Sequence, residues 1–160
     1  MCARLKTLAS LFLVAIFLAG GCASRQQLAD EIVKARKTGN AGVTKVYPVA
    51  ANQAWEITLA VFRWEKTDEI EEHRKENYVI TSTGMKMAAY GSVMGVWIEP
   101  SDAGASKITV IAVRRVENDR FTSLNARTFF ERFEQGMKFL KEGKKLPVVL
   151  PVNNTTVMGR

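Results

Sequence analysis

Histidine and cysteine are scarce in this chain of 160 residues, and each scarcity removes a class of protein. One histidine, His73, leaves no imidazole set from which to build a metal centre. Two cysteines are too few for a disulfide-stapled miniprotein or a cysteine-rich zinc site. Nucleotide-binding loops are also missing: Gly84, Gly91 and Gly95 do not fall at GxGxxG spacing, and no GxxxxGK[ST] run occurs. Nor is the chain compositionally disordered, since 47% of its residues are apolar and 24% charged. That is one domain's worth of polypeptide with a single real core.

The N-terminus carries the clearest signal. Arg4 and Lys6 precede an apolar run from Leu8 to Ala19, and the small residues Gly20 and Gly21 then lead to Cys22. A charged start, an apolar run and a small-residue cleavage site are the three parts of a secretory signal. The uncharged stretch from Thr7 to Ser24 sits at the short limit for a membrane-spanning helix of about 20 residues. Leu18-Ala19-Gly20-Gly21-Cys22 resembles the lipobox of bacterial lipoproteins, although Ala19 stands where leucine is usual. That resemblance implies cleavage before Cys22, a diacylglyceryl group on its thiol and an acyl chain on its freed amine. Ala23, and not Asp, follows Cys22, which by the same resemblance implies the outer membrane, facing the periplasm. Two or three acyl chains are sufficient for stable attachment where one is marginal. Once Cys2 leaves with the signal and Cys22 is acylated, no thiol remains for nucleophilic or redox work.

The chain divides into a signal over residues 1–21, a lipidated tether over 22–42, a domain over 43–146 and an extended tail over 147–160. In the tether, Leu28, Ile32 and Ala35 recur at helical spacing among many charges, which predicts a solvated spacer helix. A first strand over Val43–Tyr47 stops at Pro48, and Ala51, Ala54, Trp55, Thr58, Leu59 and Phe62 form the buried face of a helix. Residues 68–73 and 78–83 read as a hairpin around the polar residues 74–77. Residues 93–99 and 107–116 read as two further strands. A last helix from Thr122 or Ser123 to Glu142 carries Ala126, Phe130, Phe133, Met137 and Leu140 on one face. The expected class is α+β, an antiparallel sheet of four to five strands with two helices packed on one face.

Tyr47-Pro48, Ala54-Trp55 and the Thr83-Gly84 to Tyr90-Gly91 segment resemble a group of short uncharacterised bacterial lipoproteins over about residues 43–142. The likeness implies a small α/β lipoprotein domain and no particular activity. A more distant likeness, to the helix-grip domains of a lipoprotein subunit in the outer-membrane β-barrel assembly machinery, bears on fold alone.

Catalytic groupings are thin. A Ser/His/Asp triad would have to use His73, which lies in the charged run 68–75. Glu69 and Glu71 on one strand face, and Asp68 and Glu72 on the other, read as a solvated edge. Met85, Met87 and Met94 are close enough to raise a soft copper site, but methionine is also ordinary core filler. Ten basic against nine acidic residues lie in 22–90, and eleven against seven in 91–160, so the excess positive charge is C-terminal. Lys138, Lys141, Lys144 and Lys145 supply much of it, either as cations opposing a helix dipole or as contacts for anionic headgroups or an acidic partner. The strands at 93–98 and 108–113 are apolar on both faces, so something covers the second face: the chain's own tail at 147–152, a partner or an apolar ligand.

The expectation is a membrane-anchored, non-catalytic binding or scaffold module of the cell envelope, without metal or cofactor and without nucleic acid. Its alternatives are an accessory subunit of an outer-membrane assembly complex and a carrier of a lipid or small apolar ligand.

Overall fold

A computed structural model describes residues 24–39, 41–84, 91–116 and 124–150. Five strands, β1 (Val43–Tyr47), β2 (Glu69–His73), β3 (Tyr78–Thr83), β4 (Ser92–Pro100) and β5 (Ser106–Arg114), form one sheet. Their order is β1-β5-β4-β3-β2, and every neighbouring pair is antiparallel. Three helices complete the α+β fold: α1 (Arg25–Lys37), α2 (Ala51–Trp64) and α3 (Ala126–Lys141).

The alternation of side chains along each strand explains why helices lie on both faces. Val79, Met94, Val96, Ile98, Ile108 and Val110 face α2 and α3, where Trp55, Phe62, Phe129, Phe130 and Phe133 complete the larger core. Ile80, Val93, Trp97 and Ile111 point the other way and are covered by Leu28, Ala29 and Ile32 of α1. The expected two helices on one face are therefore present, and a third lies opposite. The segment read as a solvated spacer is a packed layer of the domain.

Two features let so polar a helix dock. Gly95 lies between Val93 and Trp97 on the α1 side, and a Cβ there would stand 2.8 Å from Ile32 Cγ2 and 2.8 Å from the Trp97 ring. The missing side chain leaves the space that Ile32 fills. The start of α1 is closed by a capping box: Ser24 Oγ accepts from Gln27 N, and Gln27 Oε1 accepts from Ser24 N at 2.8 Å.

Residues 147–150, the described part of the tail, do not cover the second face. Leu146 packs against the larger core, and Trp64 Nε1 donates to the Pro147 carbonyl at 2.8 Å, on the α2 side of the sheet. Val148 and Val149 are 80% and 70% exposed. The last helix is capped by Asn125, whose side chain accepts from Thr128 N, and not by Thr122 or Ser123, which lie outside the described residues. Phe129 joins its predicted stripe as a fully buried residue, and Gly136 sits against Ile57 of α2. Val43 and Val46 on the β1 edge remain half-exposed.

Replacing Gly95 with Val should destabilise the domain by about 1–3 kcal/mol through overpacking against Ile32 and Trp97. Adding Ile32→Ala should make the pair less costly than the sum of the single changes, because each relieves the other's crowding. Urea unfolding of the four proteins of this cycle measures it; strict additivity would show that α1 is not seated at Gly95.

Candidate functional site

Two clusters of charged and aromatic side chains flank β2, one on each face, because this strand carries acidic residues in both alternation sets.

On the α1 side lie Glu69, Glu71 and His73. Arg25 of α1 reaches across to them: Nη1 lies 2.6 Å from Glu71 Oε1 and 3.2 Å from Glu69 Oε2, and Nε donates to Ser82 Oγ at 3.0 Å. The hydrogen bond from Arg25 Nη1 holds the Glu71 carboxyl below its ordinary value, against partial burial, which pushes it up. The His73 ring stacks on Tyr78 at 4.3 Å between centroids, and its Nε2 lies 3.6 Å from Glu71 Oε2. At the other end of α1, Arg36 pairs with Glu99 at 2.7 Å and lies over Trp97. Glu69 and Glu71 are thus partners of α1, where a purely solvated edge was expected.

On the α2 side lies the outer cluster. Glu72 Oε2 accepts from Trp55 Nε1 at 2.8 Å and pairs with Arg74 Nη2 at 2.7 Å, while the Arg74 guanidinium lies 4.7 Å from the Trp55 ring centroid. Charge pairing and stacking on the indole hold the guanidinium in one place. Asn77 takes a left-handed conformation, φ 59°, that ends the 3-10 turn Arg74–Glu76, and its carbonyl accepts from Ile98 N at 2.9 Å. Ala51, Asn52, Trp55, Arg74, Asn77 and Ile98 together line a shallow depression of about 180 Å³. Its floor is apolar, of tryptophan and isoleucine, and its rim carries an amide and a guanidinium.

A third polar cluster ties β1 to α3. Tyr47 Oη and Lys45 Nζ both donate to Glu134 Oε1, at 2.9 Å and 3.2 Å. These bonds lower the Glu134 carboxyl from its ordinary value, whereas burial and then the Glu134 bond push the Tyr47 phenol up. Tyr47 also packs on Phe133 at 5.0 Å, which makes this cluster a structural brace.

Of the other residues singled out in the sequence, Lys138 and Lys141 lie exposed in the last turn of α3. Lys144 pairs with Glu142 at 2.7 Å, and Lys145 is exposed beyond it. Met94 is a fully buried core residue, while Cys22, Met85, Met87 and Tyr90 lie outside the described residues. Among the described residues, no cluster of His, Cys, Asp and Glu could hold a metal ion, and no helix is long and apolar enough to cross a membrane. Sequence reasoning missed Arg25 and the Trp55–Glu72–Arg74 cluster. The Ser24-x-x-Gln27 capping box directly after Cys22 was the available signal for a folded α1.

No family model and no curated protein matches this chain. A solved structure described as "Crystal structure of Ara h 8.0201" is similar over 63% of this chain and 88% of that one, at 15% identity and a TM-score of 0.34.

The Arg25–Glu71 pair makes a prediction for acid unfolding. A carboxyl lowered in the folded state contributes stability above its unfolded value of about 4.3 and loses that contribution as pH falls through the lower folded value. Stability should therefore fall below about pH 4 in the parent chain and less steeply in Glu71→Gln, whose neutral amide has nothing to protonate. Urea midpoints measured from neutral pH downward check this, and identical slopes for the two proteins would refute it.

Proposed function

We propose that this chain is a lipid-anchored, non-catalytic binding or scaffold module of a bacterial cell envelope, one of the short lipoproteins that its sequence resembles, held on the outer membrane and facing the periplasm. The observation that carries the reading is the placement of Cys22, at the end of a signal-like segment and two residues before the cap of the first packed helix.

The non-catalytic part rests on how the polar groups are used. Glu72 and Arg74 neutralise each other, Glu69 and Glu71 share Arg25, and Glu134 is engaged by Tyr47 and Lys45. A general acid or base needs a proton-transferring group aimed at a substrate position, and these carboxylates are aimed at protein donors. The carrier reading has less support than the scaffold reading. Phe62, Phe129, Phe130 and Phe133 fill the space between the sheet and α2 and α3, and Ile32 fills the space beneath α1. The depression at Trp55 is the surface that best fits a partner protein, which makes the accessory-subunit role the nearest form of this function.

Expression of Cys22→Ala should abolish incorporation of labelled fatty acid and leave an unprocessed precursor of higher mass. A mutant cleaved and membrane-held like the parent would overturn the anchor. For the scaffold role, a photo-crosslinking residue at Asn52 should give one discrete protein adduct in cells that Arg74→Glu abolishes, whereas the same residue at the exposed Gln26 should give none.

A further inference from the structure

Chain length between the anchor and the fold decides how the domain stands. From Cys22 to Ser24 there are two residues, which span at most about 7 Å even when fully extended. The polar layer on each side of a bilayer is itself roughly 5–8 Å thick, taking the difference between its full and hydrocarbon thickness. With acyl chains on Cys22, Ser24 therefore does not clear the headgroups.

Ser24 is not free to swing. It caps α1, and α1 is fixed at three points: Arg25 on Glu71 and Ser82, Ile32 over Gly95, and Arg36 on Glu99. The helix runs along the sheet from the end of β3 to the end of β4, about 20 Å for its 13 residues. The Ser82 end of the sheet is thus at the anchor, and the Pro100 end points away from it. Asp68 N bonds to the Ser82 carbonyl at 2.9 Å, so the end of α2 and Lys66 belong to the anchor end. Trp64, the last residue of α2, holds the Pro147 carbonyl.

We propose that α1 is a rigid strut that stands the domain directly on the phospholipid headgroups, with the Lys66 end against the bilayer and the Trp55–Arg74 depression facing the aqueous compartment. The proposal rests on the lipid-anchor reading and adds to it a fixed orientation without slack. The two-residue connection to an acylated Cys22 is what commits this end to the headgroup surface. Lys66 at that end is exposed and offers a cation to anionic lipid, contributing about 1 kcal/mol when close to the surface, while Arg25 offsets part of the charge of Glu69 and Glu71. The depression is lined by Arg74, Asn77 and Ile98, all at the opposite end, so a partner reaches it from solution.

The experiment uses the lipidated chain in vesicles of phosphatidylethanolamine and phosphatidylglycerol doped with a nitroxide-headgroup lipid. Because Cys22 is acylated, Lys66→Cys and Ser101→Cys each accept a single fluorescent label. The label at residue 66 should be quenched several-fold more strongly than the label at residue 101. Inserting a Gly-Ser linker of about ten residues after Ala23, with a mean span of roughly 17 Å, should bring the two values together. Equal quenching in the parent-length chain overturns the strut while leaving the anchor intact. Absence of the diacylglyceryl mass on Cys22 overturns the anchor reading, and the strut with it.

Discussion

The structure depends on one constraint: the central strands β4 and β5 are apolar on both faces, so the sheet is stable only when both are covered. Val96, Ile98, Ile108 and Val110 need α2 and α3; Val93, Trp97 and Ile111 need α1. Burying a Leu or Ile side chain contributes about 1.5–3 kcal/mol, so Leu28 and Ile32 dominate the docking of α1. The ion pairs at its two ends are partly exposed, and pairs of that kind contribute between zero and about 1 kcal/mol each. Their role is directional: they set where along the sheet the helix lies, while the apolar contact supplies most of the affinity.

Much of the sheet was legible because strands that end at Pro48 and Pro100 and alternate between them leave few readings. Position β3 matched its predicted range, and β1 did the same. The docked α1 was not legible from its own composition, since a three-residue apolar stripe among arginines and lysines reads equally as a solvated spacer. The information lay in its counterpart. A glycine at the centre of the most apolar strand, with no turn to make, marks a place where another segment comes close, and the two-sided strands called for a cover. The candidate site was harder still. Trp55 and Glu72 meet because α2 crosses the sheet face toward which Glu72 points, and that follows only from the β2–β3 register, His73 to Tyr78 and Glu69 to Ser82.

Residues that looked interchangeable as surface charge turn out to divide by face. Along β2 the period of two sends Glu69, Glu71 and His73 toward α1 and Glu72 toward α2, so one strand of five residues serves both layers. Arg25 takes Glu69 and Glu71 at the Ser82 end of the sheet, and Arg74 takes Glu72 toward the Pro100 end. Each arginine is held by a carboxylate and a further contact, Ser82 for one and the Trp55 ring for the other. The distribution leaves Glu69 and Glu71 sharing one guanidinium and holds a second over the Trp55 ring at the opposite end of the strand.

The two edges of the sheet differ in the same terms. An edge strand with acidic residues on both faces resists pairing with another chain, and β2 is of that kind. The opposite edge, β1, has Val43 and Val46 at 48% and 59% exposure and only Lys45 as an interrupting charge, itself drawn toward Glu134. A free-floating domain with such an edge would be open to edge-to-edge association from any direction. Under the proposed anchoring, two copies held upright on one bilayer would share the same end-on orientation, which limits those approaches. Antiparallel pairing of two β1 strands would then require one copy to run its strand toward the membrane while the other runs away from it, so the proposed orientation disfavours that pairing.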